Sequence, residues 1–245
     1  MGLAISSGCG VQQRAAEKLI DPQLHREGVL VENNAGRPAR DGSFALGGYA
    51  VTKVERWEQA AVPGAFLGDD NPRTRPTQAL GVRFELSTPE GERWIGECLG
   101  QRRQPPDHDL AAVADELRDE VALRCSYIAQ TDEGPGDPWL LSLDGDLADN
   151  LLGSLERQGE GEAPPQVVEV VLWYQLLNFT RRRLPASLAL LRATDSRADR
   201  PTTAAAMILD SPERAWLTPE LGAHTRGLSL AVLVSLRLIP LGFES

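Results

Sequence analysis

From Leu221 to Ile239 the chain becomes apolar nearly all round. Leu228, Leu230, Val232, Leu233, Val234, Leu236, Leu238 and Ile239 leave no polar stripe, and Arg237 is the one charge among them. A helix that is apolar on every side is buried on every side, so the rest of the chain must supply its surroundings. Thr218-Pro219-Glu220 offers an N-cap, a proline at the first helical position and an acidic first turn, all favourable at a helix start. Gly222 and Gly227 weaken that helix. A buried strand is the competing reading, because periodicity alone does not separate a Val/Leu run from a strand. The run is shorter than the ~20 apolar residues a membrane-spanning helix needs.

The preceding sequence reads as short strands. Phe44 to Val54 is one candidate, and Pro63 to Pro76 is a Pro/Gly/Asp-rich loop. Gln78 to Leu86 alternates, with Leu80, Val82, Phe84 and Leu86 on one face. Ser87 to Gly91 is a turn signal and Trp94 to Leu99 the returning partner, which predicts a hairpin. Asp107 caps an expected short helix over Asp109 to Arg118. Further strands are expected at Val121–Ala129, Trp139–Leu143, Val167–Leu177, Arg183–Ala193, Ala204–Leu209 and Ala215–Leu217. The expected fold class is mainly β (β-rich α+β), an antiparallel sheet or barrel packed on a C-terminal apolar helix. Residues 44–245 form one such domain. Residues 1–43 read as a signal or lipid-anchor remnant and tether, with one helical turn near Gln13–Ile20.

The chain opens Met-Gly-Leu-Ala-Ile-Ser-Ser-Gly-Cys9-Gly. Ser7-Gly8-Cys9 after Leu3-Ala4-Ile5 resembles the lipobox of bacterial lipoproteins, in which small residues precede the cysteine that is diacylated. The leader looks cut short, since a secretory signal needs a positive n-region and an apolar stretch of about 7–15 residues. The resemblance implies a lipid on Cys9, a membrane partner through that anchor, and a place in the bacterial cell envelope. Met1-Gly2 with Ser6 also fits the N-myristoylation pattern, and an ordinary N-terminus with an idle cysteine is a third reading. Only Lys18 and Lys53 are lysines, a bias towards arginine that suggests a GC-rich bacterial genome.

The chain has 3 cysteines. With Cys9 lipidated, Cys98 and Cys125 remain as a pair, both in strand-like contexts. In an oxidising envelope they are expected to form a disulfide, whereas two unrelated buried thiols are the alternative.

The stretch Ala204 to Ile239 runs strand, turn at Asp210-Ser-Pro-Glu213, strand Ala215-Trp216-Leu217, then the apolar segment. That order, after many short strands, resembles the tubby/LURP-one-type barrel, whose strands wrap a central C-terminal helix. The likeness implies a barrel and, from the family's membrane-associated members, a lipid-binding role. No ligand residue carries over, because no motif matches one.

Chemistry is sparse. His25, His108 and His224 lie far apart without ligand spacing, and Asp107-His108-Asp109 reads as a turn and helix cap, so no metal or cofactor is expected. Nucleophile-elbow, phosphate-loop and dinucleotide motifs are missing. Trp57, Trp94, Trp139, Trp173 and Trp216 suit core packing or a carbohydrate or lipid groove. The 35 acidic residues against 25 basic ones give a net charge of -10, which disfavours nucleic acid. Arg102-Arg103 and Arg181-Arg182-Arg183 are too short to reverse that. The expected function is therefore a non-catalytic envelope lipoprotein with a binding or structural role. A lipid-binding tubby-like barrel and a hydrolase without a linear motif are the alternatives.

Overall fold

In strand β4 (Arg75–Ser87) the sequence alternation becomes burial: Val82, Phe84 and Leu86 are buried while Arg83 is exposed. Successive strand side chains point to opposite faces, so one face of every strand becomes available to a common core. The computed structural model describes residues 14–33, 39, 41–59, 75–104, 120–132, 134–146, 151–159, 166–173, 188–194, 202–209 and 212–239.

A short helix α1 (Pro22–Glu27) precedes strand β1 (Val29–Glu32). Then come β2 (Phe44–Leu46), β3 (Tyr49–Gln59), β4, β5 (Arg93–Gln104), β6 (Glu120–Thr131) and the two-residue β7 (Gly134–Pro135). The chain continues through β8 (Trp139–Asp146), β9 (Leu151–Arg157), β10 (Gln166–Trp173), β11 (Leu188–Thr194), β12 (Thr202–Ile208) and β13 (Arg214–Leu217), ending in helix α2 (Ala223–Leu238). Among the described residues, all strands belong to one antiparallel sheet in the order β1-β13-β12-β11-β10-β9-β8-β6-β5-β4-β3-β2, with β7 off this path and paired with β6. The predicted hairpin is β4–β5, in which Leu86 faces Trp94 and Val82 faces Cys98.

The sheet curls until its ends meet. The Gly47 N–H, in the β2–β3 turn, donates to the Glu32 carbonyl at the end of β1 at 2.8 Å, leaving a nearly closed barrel. Helix α2 lies inside the curl, touching β4 and β5 on one side and β11, β12 and β13 on the other. Every residue from Gly227 to Leu236 is buried. These residues share one core with the inward side chains of the sheet, among them Phe84, Trp94, Leu123, Leu143, Val170 and Met207. The fold class is thus a β-rich antiparallel barrel packed on its C-terminal helix, and the buried-strand reading of 221–239 falls away.

Three expectations change. Helix α2 starts at Ala223 behind Gly222, and Gly222 makes no side-chain cap. The Thr218 hydroxyl donates instead to the Thr203 and Ala204 carbonyls at 3.1 and 2.8 Å, holding the end of β13 against β12, and Pro219-Glu220 turns the chain. Secondly, residues 14–33, assigned to a tether, belong to the folded body. Ala16, Ile20 and Leu24 cover Leu188, Leu190, Ala206, Ile208 and Trp216 on the outer face of β11–β13, and β1 pairs with β13. Thirdly, β1 and β9 were not expected as strands. Residue 9, residues 105–119, and the arginines at 181–183 lie outside the described residues, so the lipid site, the Asp109–Arg118 helix, His108 and one basic patch do too.

Candidate functional site

The two cysteines left over by the lipobox reading are joined. Cys98 in β5 and Cys125 in β6 stand directly opposite each other, with Cα atoms 4.0 Å apart, and form a disulfide 27 residues apart in sequence. Both are buried, at 1% and 5% exposure. Beside them the Tyr127 hydroxyl lies 3.7 Å from Cys98 Sγ and 2.7 Å from Ser235 Oγ of helix α2. Ser235 donates its own proton to the Ala231 carbonyl at 2.9 Å, so Tyr127 is the donor to Ser235. Burial pushes the Tyr127 phenol well above the usual tyrosine value, with the Ser235 bond opposing. This arrangement ties sheet to helix.

Both ends of the helix carry charged contacts. At its start Glu92 accepts from Trp94 Nε1 at 3.0 Å, and its other oxygen sits 2.6 Å from His224 Nδ1, whose ring tilts over Trp94 at 4.7 Å. Arg226 reaches Glu90 at 3.4 Å and donates to the Leu221 carbonyl at 2.7 Å. Tyr49 beside them is raised by burial, with Arg226 pulling the other way. At the helix end Arg237 meets the fully buried Glu213 at 3.0 Å, and Asn33 Nδ2 donates to the second Glu213 oxygen at 2.6 Å. These groups hold the structure at its two ends.

Among the described residues, an arrangement open to a partner lies on the outside. A groove of about 670 Å³ crosses the outer face of β3, β4, β5, β6 and β8. Trp57, Ile95, Leu99, Ile128 and Leu140 line it, each half-buried at positions where alternation would place polar side chains. Arg83 and Glu97, directly paired across β4 and β5, stand exposed among them. Arg124 at the edge is held by a bidentate bond to Asp144, 2.9 Å to each oxygen, and by the Leu143 carbonyl at 2.8 Å.

Of the tryptophans singled out in the sequence, Trp94 is core and Trp216 is covered by the N-terminal segment, with His25 stacked on it at 5.6 Å. Trp139 packs on the core partly buried, and the Trp173 side chain lies outside the described residues, as do those of Arg102 and Arg103. Of the four tryptophans with described side chains, Trp57 alone lines the groove. Sequence reading missed the groove's other members. Their signal was present as Ile95, Leu99 and Ile128 at the outward positions of otherwise alternating strands. Among the described residues no cluster of three or more His, Cys, Asp or Glu is placed to hold a metal ion. No described helix is long and apolar enough to cross a membrane.

Fold and groove together define a helix-filled antiparallel barrel with an open outer face. Comparison with known protein families, curated proteins and solved structures finds no match to this chain.

Proposed function

We propose that the protein is a non-catalytic binding protein of the bacterial cell envelope, held at the membrane by a lipid on Cys9. The observation that carries this reading is the Cys98–Cys125 disulfide buried in the sheet. Disulfides persist in oxidising compartments and are rare in the cytosol of mesophiles, so the bond favours export, the same destination that the lipobox-like Ser7-Gly8-Cys9 implies. A binding role is favoured over catalysis because the buried Tyr127, bonded to Ser235, and the buried Glu213, bonded to Asn33 and Arg237, are engaged in holding the helix.

A lipid-binding barrel of the tubby/LURP-one type is the second reading, favoured by the wrapping of the strands about a C-terminal helix. Because α2 occupies the barrel axis, a lipid would have to bind on the outer surface.

Metabolic labelling of the native gene product with a palmitate analogue tests the anchor. The expected result is a labelled protein in the membrane fraction, with label lost in Cys9→Ser. An unlabelled product free of the membrane overturns it. Nonreducing mass spectrometry of protein taken from cells tests the compartment: a Cys98–Cys125 linked peptide is expected, and two free thiols contradict export.

A further inference from the structure

We propose that the outer groove is a glycan-binding site, in which a neutral sugar ring stacks on the outward face of Trp57 while its hydroxyls bridge Arg83 and Glu97. This deepens the binding half of the preceding reading and does not depend on the anchor.

Three observations converge on a sugar. The first is the posture of the indole. Trp57 lies opposite Gly81 in the β3–β4 ladder, and a Cβ built on Gly81 would land on Cε2, Cζ2 and Nε1 of the ring. An approach to those three atoms together comes from above the ring plane, so one face of the indole rests flat on the glycine backbone. The half-buried ring thereby turns its other face towards the groove. An aromatic plate of this kind suits the C–H face of a pyranose.

The second is charge. Arg83 and Glu97 oppose each other across β4 and β5 and are exposed, and neither has an ion-pair partner among the described residues. They lie two residues along their strands from Gly81 and its partner Leu99, about 7 Å from the plate, within reach of the hydroxyls of a stacked ring. An apolar peptide or acyl chain seated here would desolvate both charges without replacing their hydrogen bonds. An anion would satisfy Arg83 and be repelled by Glu97. A sugar hydroxyl both donates and accepts, so neighbouring hydroxyls can serve the carboxylate and the guanidinium at once.

The third is the remainder of the lining. Gln59, Ser126 and Ser142 add neutral donors and acceptors beside the apolar floor. A few convergent polar groups on a mostly apolar concavity are what a small-ligand site requires.

The test uses the full chain in its oxidised form. Binding is measured to chitotetraose and cellotetraose by calorimetric titration, and to purified peptidoglycan sacculi by co-sedimentation. Binding to at least one of these is expected, weakened about tenfold or more in Trp57→Ala and largely kept in Trp57→Phe. Glu97→Gln, on an exposed side chain, should weaken binding with no change in melting temperature, and it carries the test should Trp57→Ala melt early. Three outcomes overturn the proposal: no binding to any of the three probes, binding that Trp57→Ala and Glu97→Gln both leave unchanged, or binding only to an anionic polysaccharide such as heparin, strengthened by Glu97→Gln. Palmitate labelling reads the anchor separately, so the failure of either claim is visible without the other.

Discussion

At the scale of single residues, the helix glycine that looks like a flaw in the sequence is a contact. A Cβ on Gly227 would come within 2.5 Å of Trp94 Nε1 and 3.2 Å of Cδ1. That indole cannot give way easily, since it is fully buried, donates to Glu92 and lies against His224. Gly227→Ala gains about 0.8–1.0 kcal/mol of helix propensity. Overpacking a fixed core neighbour costs roughly 1–3 kcal/mol. The clash wins, and a lower urea midpoint with unchanged slope is expected. Tyr127 makes a second residue-scale statement. Its folded pKa lies above its unfolded value, so the stability it confers is complete below about pH 10 and is lost as pH rises through the folded value. Tyr49 acts in the same sense. Tyr127→Phe should flatten the alkaline fall in stability above about pH 10. At neutral pH it should cost about 1 kcal/mol, for the bond to Ser235. Denaturant melts across an alkaline pH series check both, and an alkaline slope equal to that of the wild type contradicts the assignment.

Among the elements, the latch between helix and sheet is the most exposed to test. Glu213 is 0% exposed and Arg237 30%, so water reaches one partner and not the other. Arg237→Met leaves a carboxylate buried with Asn33 as its remaining partner among these three and should destabilise by about 3 kcal/mol, the low end for breaking a buried pair. Adding Glu213→Gln to that variant should restore part of the loss, and strict additivity in a double-mutant cycle contradicts a direct pairing. The elements also show what periodicity carries and what it omits. Strands β4, β5 and β6 were legible because one face is buried and the other faces the groove or solvent. Leu188 to Leu191 was legible as a strand yet not in its faces, because the N-terminal segment buries the outer side as well. Strand β1 escaped because Val29 and Leu30 are exposed, and β9 because Gly153 interrupts it between the buried Leu151 and Leu155. The helix was legible from its apolar girth. Its start was not, since Thr218 gives its hydroxyl to strand carbonyls in place of the helix amides.

Taken as a whole molecule, the chain is organised from its end towards its beginning. The last described element is the axis, the thirteen described strands form the sheet around it, and the first described residues close the outside over β11–β13. With the axis filled by α2, the candidate groove lies on the outer wall. For that reason the candidate site was the least legible part of the sequence: it is assembled from five strands, with members from Trp57 to Ser142, and no local motif joins them. The most direct test of this organisation is native-state hydrogen exchange on the oxidised protein. Amides between Leu228 and Leu236 should exchange only through global unfolding, with the same free energy as those of β5 and β6. Exchange of the helix through a smaller opening, while β5 and β6 stay protected, would contradict a barrel built around it.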